Sequence, residues 1–282
     1  MNSLTLVDTH VHLYKSFNLE SFLKKVHGNF LNARTGLNDR GTQINTIILT
    51  EGGMEPGIKK VFQSFDNSDQ LNTIGKTENY QLVNSDSLSF AVIQIKESFL
   101  LILSGRQLIS MDNIEVLALG TTTQFNTAKN TEQIIEEVSH DGSLPVLPWG
   151  VGKWLGRRGK IVANILQNQN LPRFFIGDSA NRPVFWSEPS QFGLARANGI
   201  KNLPGSDPLP VKNGYKNAGK AGIVLKDSIN LDDPVHSIKN RLLDPSTDIQ
   251  PYIKRENPIS FFRNQFAMQY KKYFGYDNKQ KS

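Results

Sequence analysis

Residues Leu4–Leu13, LTLVDTHVHL, carry an apolar run straight into Asp8-Thr9-His10-Val11-His12. A run of this kind reads as a buried strand. Side chains on a strand repeat with period two, so His10 and His12 leave the same face, and the spacing predicts Asp8 in phase with them. Imidazole suits Zn, Fe, Mn or Ni, and a neighbouring carboxylate ligates the metal or orients a ring. The chain has 5 histidines in 282 residues, and two of them stand at the end of this one strand.

Outward from that strand, the pattern is that of alternating strands and helices. Asn18 is placed to cap a helix whose apolar positions are Leu19, Phe22, Leu23, Val26 and Phe30. Asn45–Glu51 (NTIILTE) is a nearly continuous apolar run, as a buried parallel strand requires, and it ends on an acid before Gly52-Gly53. A short helix follows over Ile58–Phe65. Between Thr77 and Ser110 the helical spacing disappears. Asn79–Leu82, Ser89–Ile95 and Phe99–Leu103 are strand-like, with Lys96-Glu97-Ser98 as a hairpin turn, which predicts an antiparallel insertion.

The strand–helix rhythm then resumes. Ile114–Leu119, Leu144–Leu147, Arg173–Ile176, Ile200–Leu203 and Ile223–Leu225 read as strands. Thr131–Ser139, Leu155–Leu166 and Phe192–Ala197 read as helices. Pro234–Leu243 and Pro258–Phe274 form a helical C-terminal segment. The second of these helices places Ile259, Phe262, Phe266, Tyr270 and Tyr273 along one side, a stripe expected to pack against the domain. His27, His140 and His236 fall beside or within helices and read as surface or capping residues.

Six or seven main-domain strands alternating with helices predict a distorted TIM-like (β/α)7 barrel, with a doubly wound open sheet as the alternative. The expected organisation is an α/β barrel over 1–76 and 111–230, an antiparallel β insertion over 77–110, and a C-terminal helical segment with a basic tail over 231–282.

Composition narrows the function. Net charge is +6 and the pI about 9.3, which suits an anionic substrate. No nucleic-acid-binding motif is visible. The absence of cysteine removes disulfides, thiolate metal sites and a cysteine nucleophile. The N-terminus lacks the features of a signal peptide and no apolar run reaches the ~18 residues of a membrane helix, so the expectation is a cytoplasmic protein without membrane contact. A homo-oligomer contact or a basic surface helix is the alternative to packing for the C-terminal helix.

In parallel α/β folds, functional groups gather at the C-terminal ends of strands. Taken in order, those ends present His10 and His12, Glu51, Gly120-Thr121-Thr122, Trp149-Gly150, Asp178 and Asp207. Two histidines and up to four carboxylates on converging strand ends predict one or two divalent ions that activate water and neutralise charge on a phosphoryl or carbonyl oxygen. The second notable stretch is Pro148–Lys160, PWGVGKWLGRRGK, with four glycines, two tryptophans and four cations. Glycine lets backbone approach a ligand, and the following helix N-terminus favours an anion. Lys153, Arg157, Arg158 and Trp149 are the candidate substrate-binding residues, with Lys153 foremost. It is not a Walker A loop, because Trp154 follows the lysine.

DTHVH at the end of a first strand and Gly205-Ser206-Asp207 at the end of a late one resemble the PHP (polymerase and histidinol phosphatase) family and, more loosely, the amidohydrolases. The resemblance implies a metal-dependent hydrolase barrel in which His10 and His12 are metal ligands and Asp207 is the late acid. The chain departs from the PHP pattern at Leu209, where the family places a histidine, and no middle-strand histidine answers the first pair.

The leading expectation is a metal-dependent hydrolase acting through metal-activated water on an anionic, phosphorylated small molecule. His10, His12, Asp207 and Glu51 would hold Zn, Mn or Fe. Asp178, Asp207 and Lys153 would be the catalytic groups. One alternative is an amidohydrolase cleaving a C–N bond, with a carbamylated Lys153 bridging two metals. The other is a non-catalytic barrel serving as a binding or scaffold protein.

Overall fold

The computed structural model describes residues 4–37, 41–53, 57–66, 80–86, 88–226 and 229–274. The chain opens with β1 (Thr5–Val11), α1 (Leu19–Arg34), β2 (Gln43–Glu51) and α2 (Ile58–Asp66). Three strands follow, β3 (Tyr80–Asp86), β4 (Phe90–Ile95) and β5 (Ser98–Ile109). Then come β6 (Glu115–Leu119), α3 (Thr131–His140), β7 (Leu144–Pro148), α4 (Gly156–Gln167), β8 (Phe175–Gly177) and α5 (Ser190–Ala197). A 3-10 turn over Gly214–Asn217 leads into β9 (Ala221–Leu225), α6 (Pro234–Leu243), β10 (Ile249–Ile253) and α7 (Pro258–Phe274). The side chain of Asn18 accepts from the Ser21 N–H, which satisfies an orphan donor at the start of α1.

The sheet runs β10-β9-β1-β2-β5-β6-β7-β8, with β3 and β4 branching from β5. β1, β2 and β5 are parallel, as are β7 and β8, but β6 is antiparallel to both of its neighbours. β9 is antiparallel to β1 and to β10. The result is a curled, barrel-like α/β fold, not a closed TIM barrel. Among the described residues, no regular ladder joins β8 to β1. That gap is spanned by residues 202–207, bridged in parallel to β8 at Asn202 and to Ser179 at Gly205. The other flank of this segment meets β1, where the Asp207 N–H donates to His10 O at 2.8 Å and Thr9 Oγ1 lies 2.9 Å from Leu203 O.

Three expectations are corrected here. The run at Phe99–Leu103 is the middle of β5, which pairs with β2 from Gln43↔Ser98 to Glu51↔Arg106. Leu100–Leu103 are buried on alternate faces, so this strand belongs to the main sheet, and only β3 and β4 stand off it. Ile200–Leu203 makes an isolated bridge instead of a strand. β10, IQPYI, was not anticipated because Pro251 interrupts its pattern. Proline lacks the ladder N–H and is tolerated on an edge strand, which is where β10 sits. The predicted turn at Lys96-Glu97-Ser98 does join an antiparallel β4–β5 hairpin, with Lys96 left-handed at φ 56°.

Period-two alternation divides the core. Ile44 and Ile48 of β2, with Leu101 and Leu103 of β5, join an inner cluster that includes Val7, Val146 and Phe175. Ile47 and Leu49, with Leu100 and Ile102, face the helical layer through Phe22, Val26 and Phe30 of α1. A third cluster packs Val116, Leu147 and Ile176 against Ile134, Ile135, Val162 and Phe192 from α3, α4 and α5. α7 departs from expectation. Phe261 is buried, while Ile259, Phe262, Phe266 and Tyr270 are exposed, because the helix packs through Phe261 on Phe185 and Trp186. The side chain of Tyr273 and the tail from 275 lie outside the described residues. Among the described residues, no helix is long and apolar enough to cross a membrane.

Candidate metal centre

β1 does not run as a regular strand into its histidines. Its register with β2 slips between Asp8↔Ile47 and Val11↔Leu49, so three steps on β1 oppose two on β2. This is a β-bulge, which bends a strand and re-aims its side chains. Leu6 and Val11, five residues apart, consequently share the outer cluster, while Val7 lies in the inner one. The bulge puts Asp8 out of phase with His10 and His12, correcting the expectation that all three share a face. The Asp8 carboxylate instead accepts backbone N–H bonds from Ser206 and Gly219, both at 2.8 Å, and from His10 at 3.3 Å. It ties β1 to the 202–207 segment and to the approach to β9. Burial pushes its carboxyl up to about 7 against those donors.

His10, His12 and Asp207 converge. The two Nε2 atoms are 3.1 Å apart, and Asp207 Oδ1 lies 3.7 Å from the first and 3.6 Å from the second. The rings meet edge to face at 75°. Both histidines are buried and Asp207 is partly exposed, so the cluster opens to solvent on the side of the acid. A triangle with these sides has an equidistant point about 2 Å from every corner, the length of a Zn–N or Zn–O bond. Burial, reinforced by His12 and Lys153 and opposed by Asp207, pushes His10 down to about 3, so its ring is neutral at physiological pH, as a ligand must be. Burial works against charge on Asp207, but neighbours that include the Lys153 charge and a hydrogen bond from Asn181 outweigh it and hold the carboxyl below its ordinary value. The donor set therefore fits a divalent ion.

Asp207 is held in an unusual conformation, with φ at 45°. Asp is among the residues that tolerate this region, which is over-represented at functional sites. Its position depends on Gly205. A Cβ there would lie 2.3 Å from His10 Cβ and 2.6 Å from His10 N. We therefore expect Gly205→Ala to cost about 3 kcal/mol, the upper end of overpacking penalties. It should also wedge the 202–207 segment from β1 and separate Asp207 from the histidines. Loss of metal affinity at a measurable drop in Tm checks this; unchanged metal binding would contradict the role given to Gly205.

The remaining predicted residues distribute as follows. Lys153 pairs its Nζ with Glu115, near enough to the centre for its charge to act on His10 and Asp207. Glu51 does not join the cluster; its Oε1 accepts the Leu13 N–H at 2.9 Å, bracing the segment after His12. Asp178 is not a free base. Its oxygens accept from Arg182 Nε at 2.9 Å and Nη2 at 2.5 Å, and Oδ1 also accepts the Ser179 N–H. Trp149 is buried in the helix-side cluster, 6.0 Å from Trp186. Arg158 Nη2 donates to Gly152 O at 2.9 Å, closing the loop from within. Arg157 is exposed in the first turn of α4.

Two residues escaped the sequence analysis. Glu115 was missed because only strand C-termini were considered. β6 is antiparallel, so its N-terminus lies at the functional end, with Glu115 opposite Ile109 at the end of β5. Tyr14 packs its ring 5.4 Å from His12. Burial, together with Asp207, Glu51 and Glu115, pushes its hydroxyl up, so it remains a donor at the site. The Val11-His12-Leu13-Tyr14 alternation carried that signal, because Tyr14 continues the histidine face.

Fold and site together define a barrel-like α/β protein with a His-His-Asp cluster compatible with a divalent metal. No protein-family model matches the chain, and no curated protein matches it. Among solved structures, PsfC from Pseudomonas syringae PB-5123 is similar with a TM-score of 0.52 and 14% identity, over 96% of this chain and 98% of its own. That likeness establishes a shared fold alone. The lesion-specific endonuclease PfuEndoQ from Pyrococcus furiosus gives a TM-score of 0.48 at 10% identity, over 87% of this chain and 57% of its own. Endonuclease Q bound to a 27-mer duplex with an abasic lesion gives 0.43 at 10% identity, over 89% of this chain and 58% of its own. At these scores neither bears on function.

Proposed function

We propose that this chain is a PHP-like metal-dependent hydrolase acting on an anionic, phosphorylated small molecule. The observation that carries the reading is the convergence of His10 Nε2, His12 Nε2 and Asp207 Oδ1 about a point at metal-bond distance. A divalent ion held there supplies a Lewis acid for a phosphoryl oxygen and lowers the pKa of a water it binds. The chain's own groups supply the rest. Neutral His10 offers a lone pair. Asp207 supplies negative charge and, being partly exposed, faces the incoming substrate. Lys153, part-exposed on a loop, can exchange its Glu115 partner for a substrate phosphate oxygen. The Tyr14 hydroxyl stays protonated and available as a donor. Glu115, released by Lys153, is left as a carboxylate able to accept a proton.

Phosphate chemistry is favoured over C–N hydrolysis by the same ion pair. A carbamate on Lys153 Nζ would set a second negative group against Glu115, whereas a phosphate there meets the ammonium. Elemental analysis of protein purified without chelator, combined with a panel of phosphomonoesters and cyclic amides, tests the reading. Close to one Zn, Mn or Fe per chain and metal-restorable phosphoester hydrolysis are expected. Metal at well under one ion per chain, or turnover of amides alone, would refute it. Lys153→Ala should raise KM for the phosphoester by about 10- to 100-fold, the worth of one charge-assisted hydrogen bond, with metal content unchanged. Steady-state kinetics beside metal analysis decides this; an unaltered KM would remove Lys153 from substrate binding.

A further inference from the structure

A second charged feature lies at the same end of the sheet and takes no part in the metal centre. A pocket of about 420 Å³ opens between residues 211–220 and the segment leading from β10 into α7. Its walls carry Lys212, Lys216, Lys220, Lys254, Arg255 and Arg263 against one carboxylate, Glu256. That is a local excess of five positive charges in a chain whose net charge is +6. Internal pairing does not absorb it. Arg255 faces Asp178 at 3.6 Å, and Lys220 Nζ donates to Asn217 Oδ1 at 2.8 Å. Among the described residues, Lys212, Lys216, Lys254 and Arg263 form no ion pair. Burial, then the charges of Lys25 and Lys254, push Lys220 down. Burial pushes the Glu256 carboxyl up, and its Oε1 accepts from Asn264 Nδ2 at 2.5 Å. Like charges gathered in a concave, amide-lined space form a site complementary to phosphate.

The pocket shares a wall with the metal centre. Ala180 lines it, and the Ala180 N–H donates to Gly205 O at 3.1 Å. The next residue, Asn181, donates from Nδ2 to Asp207 O at 2.6 Å. Outside the pocket's lining, the Val184 N–H donates to Glu256 O at 3.1 Å. Beside Val184, Phe185 stacks on Phe262 at 5.9 Å and 11°, with both rings more than half exposed, at 53% and 60%. An exposed aromatic face next to concentrated positive charge suits a planar group attached to phosphates.

We propose that this pocket binds the non-scissile phosphates of the substrate, which is a small molecule bearing two or more phosphate groups and a planar moiety, as a nucleoside polyphosphate does. The proposal rests on the phosphoesterase reading and extends it to substrate class.

The test uses the full chain, freed of metal, titrated calorimetrically with inorganic pyrophosphate and with a nucleoside diphosphate. Wild type should bind both, more weakly as salt rises. The double variant Lys212→Glu/Lys254→Glu, at two exposed positions, should bind at least about tenfold more weakly. His10→Ala should bind as wild type does. Wild-type affinity in the double variant, or loss in His10→Ala instead, overturns the proposal. A decathymidylate strand that binds more tightly than the nucleoside diphosphate would overturn the small-molecule assignment in favour of a nucleic acid strand. With metal restored, the double variant should raise KM about tenfold or more and leave kcat within about twofold. Pyrophosphate binding without hydrolysis of any phosphoester would sink the phosphoesterase reading, and with it the pocket's role as a substrate subsite, while leaving an anion site in place.

Discussion

His10→Ala is expected to abolish stoichiometric metal binding and phosphoester hydrolysis together. The imidazole provides one of three converging ligand atoms, and its Nε2 is 3.1 Å from that of His12. Loss of an outer-shell partner alone costs about 10- to 100-fold in metal affinity or activity, and loss of a ligand exceeds that. The fold should survive. The β1 pairings at Thr5–Asp8 with β2 and at Thr5–Val7 with β9 precede the histidine, and its backbone carbonyl, which accepts from Asp207, is retained. Metal content by elemental analysis, turnover, and the Tm of chelated wild type and variant form the measurement. An active His10→Ala protein would take this cluster out of the chemistry altogether.

Arg182→Ala should be the most damaging single change to stability outside the centre. Arg182 is completely buried. Its guanidinium holds both oxygens of Asp178, and Nη1 donates to Trp186 O at 3.1 Å. Removing Arg182 leaves a buried carboxylate with only the longer 3.6 Å approach of Arg255 in place of its bidentate partner, at a cost of about 3 kcal/mol, the lower end for a broken buried pair. For a domain of this size Tm should fall by on the order of 10 °C. The double variant Asp178→Asn/Arg182→Met should recover much of the loss, because neither charge is then stranded. Thermal unfolding of wild type, Arg182→Met, Asp178→Asn and the double variant gives the coupling directly. Additive losses would show that the pair is not a unit. Since Arg255 also approaches Asp178, this knot braces the wall between the metal centre and the cationic pocket.

Much of the fold was legible because local spacing reports burial. Asn18, Phe22, Leu23, Val26 and Phe30 marked α1, and the two C-terminal helices were read with their bounds intact. The apolar run at Asn45–Glu51 marked β2 for the same reason: a strand covered on both faces needs no polar alternation. Direction was not legible. Glu115–Leu119 has the same texture whether it runs parallel or antiparallel, since apolar burial is indifferent to chain polarity. Only its pairing with β5 and β7 shows that Glu115 stands at the functional end. α7 misled for a related reason. Its stripe is amphipathic, yet among the described side chains the surface it meets fully covers Phe261 while Phe262 and Phe266 remain exposed.

The sequence by itself determined an alternating α/β chain, the His-x-His pair at the end of its first strand, and a late acid able to join them. Those are properties of spacing along one backbone. Tertiary structure decided which acids take part. The bulge after Asp8 turns that carboxylate onto backbone N–H groups, Arg182 claims Asp178, and Asp207 is carried to the histidines by a segment whose close approach requires Gly205. The physical reason is that a charged group's role is set by what neutralises it, and that partner comes from a distant part of the chain.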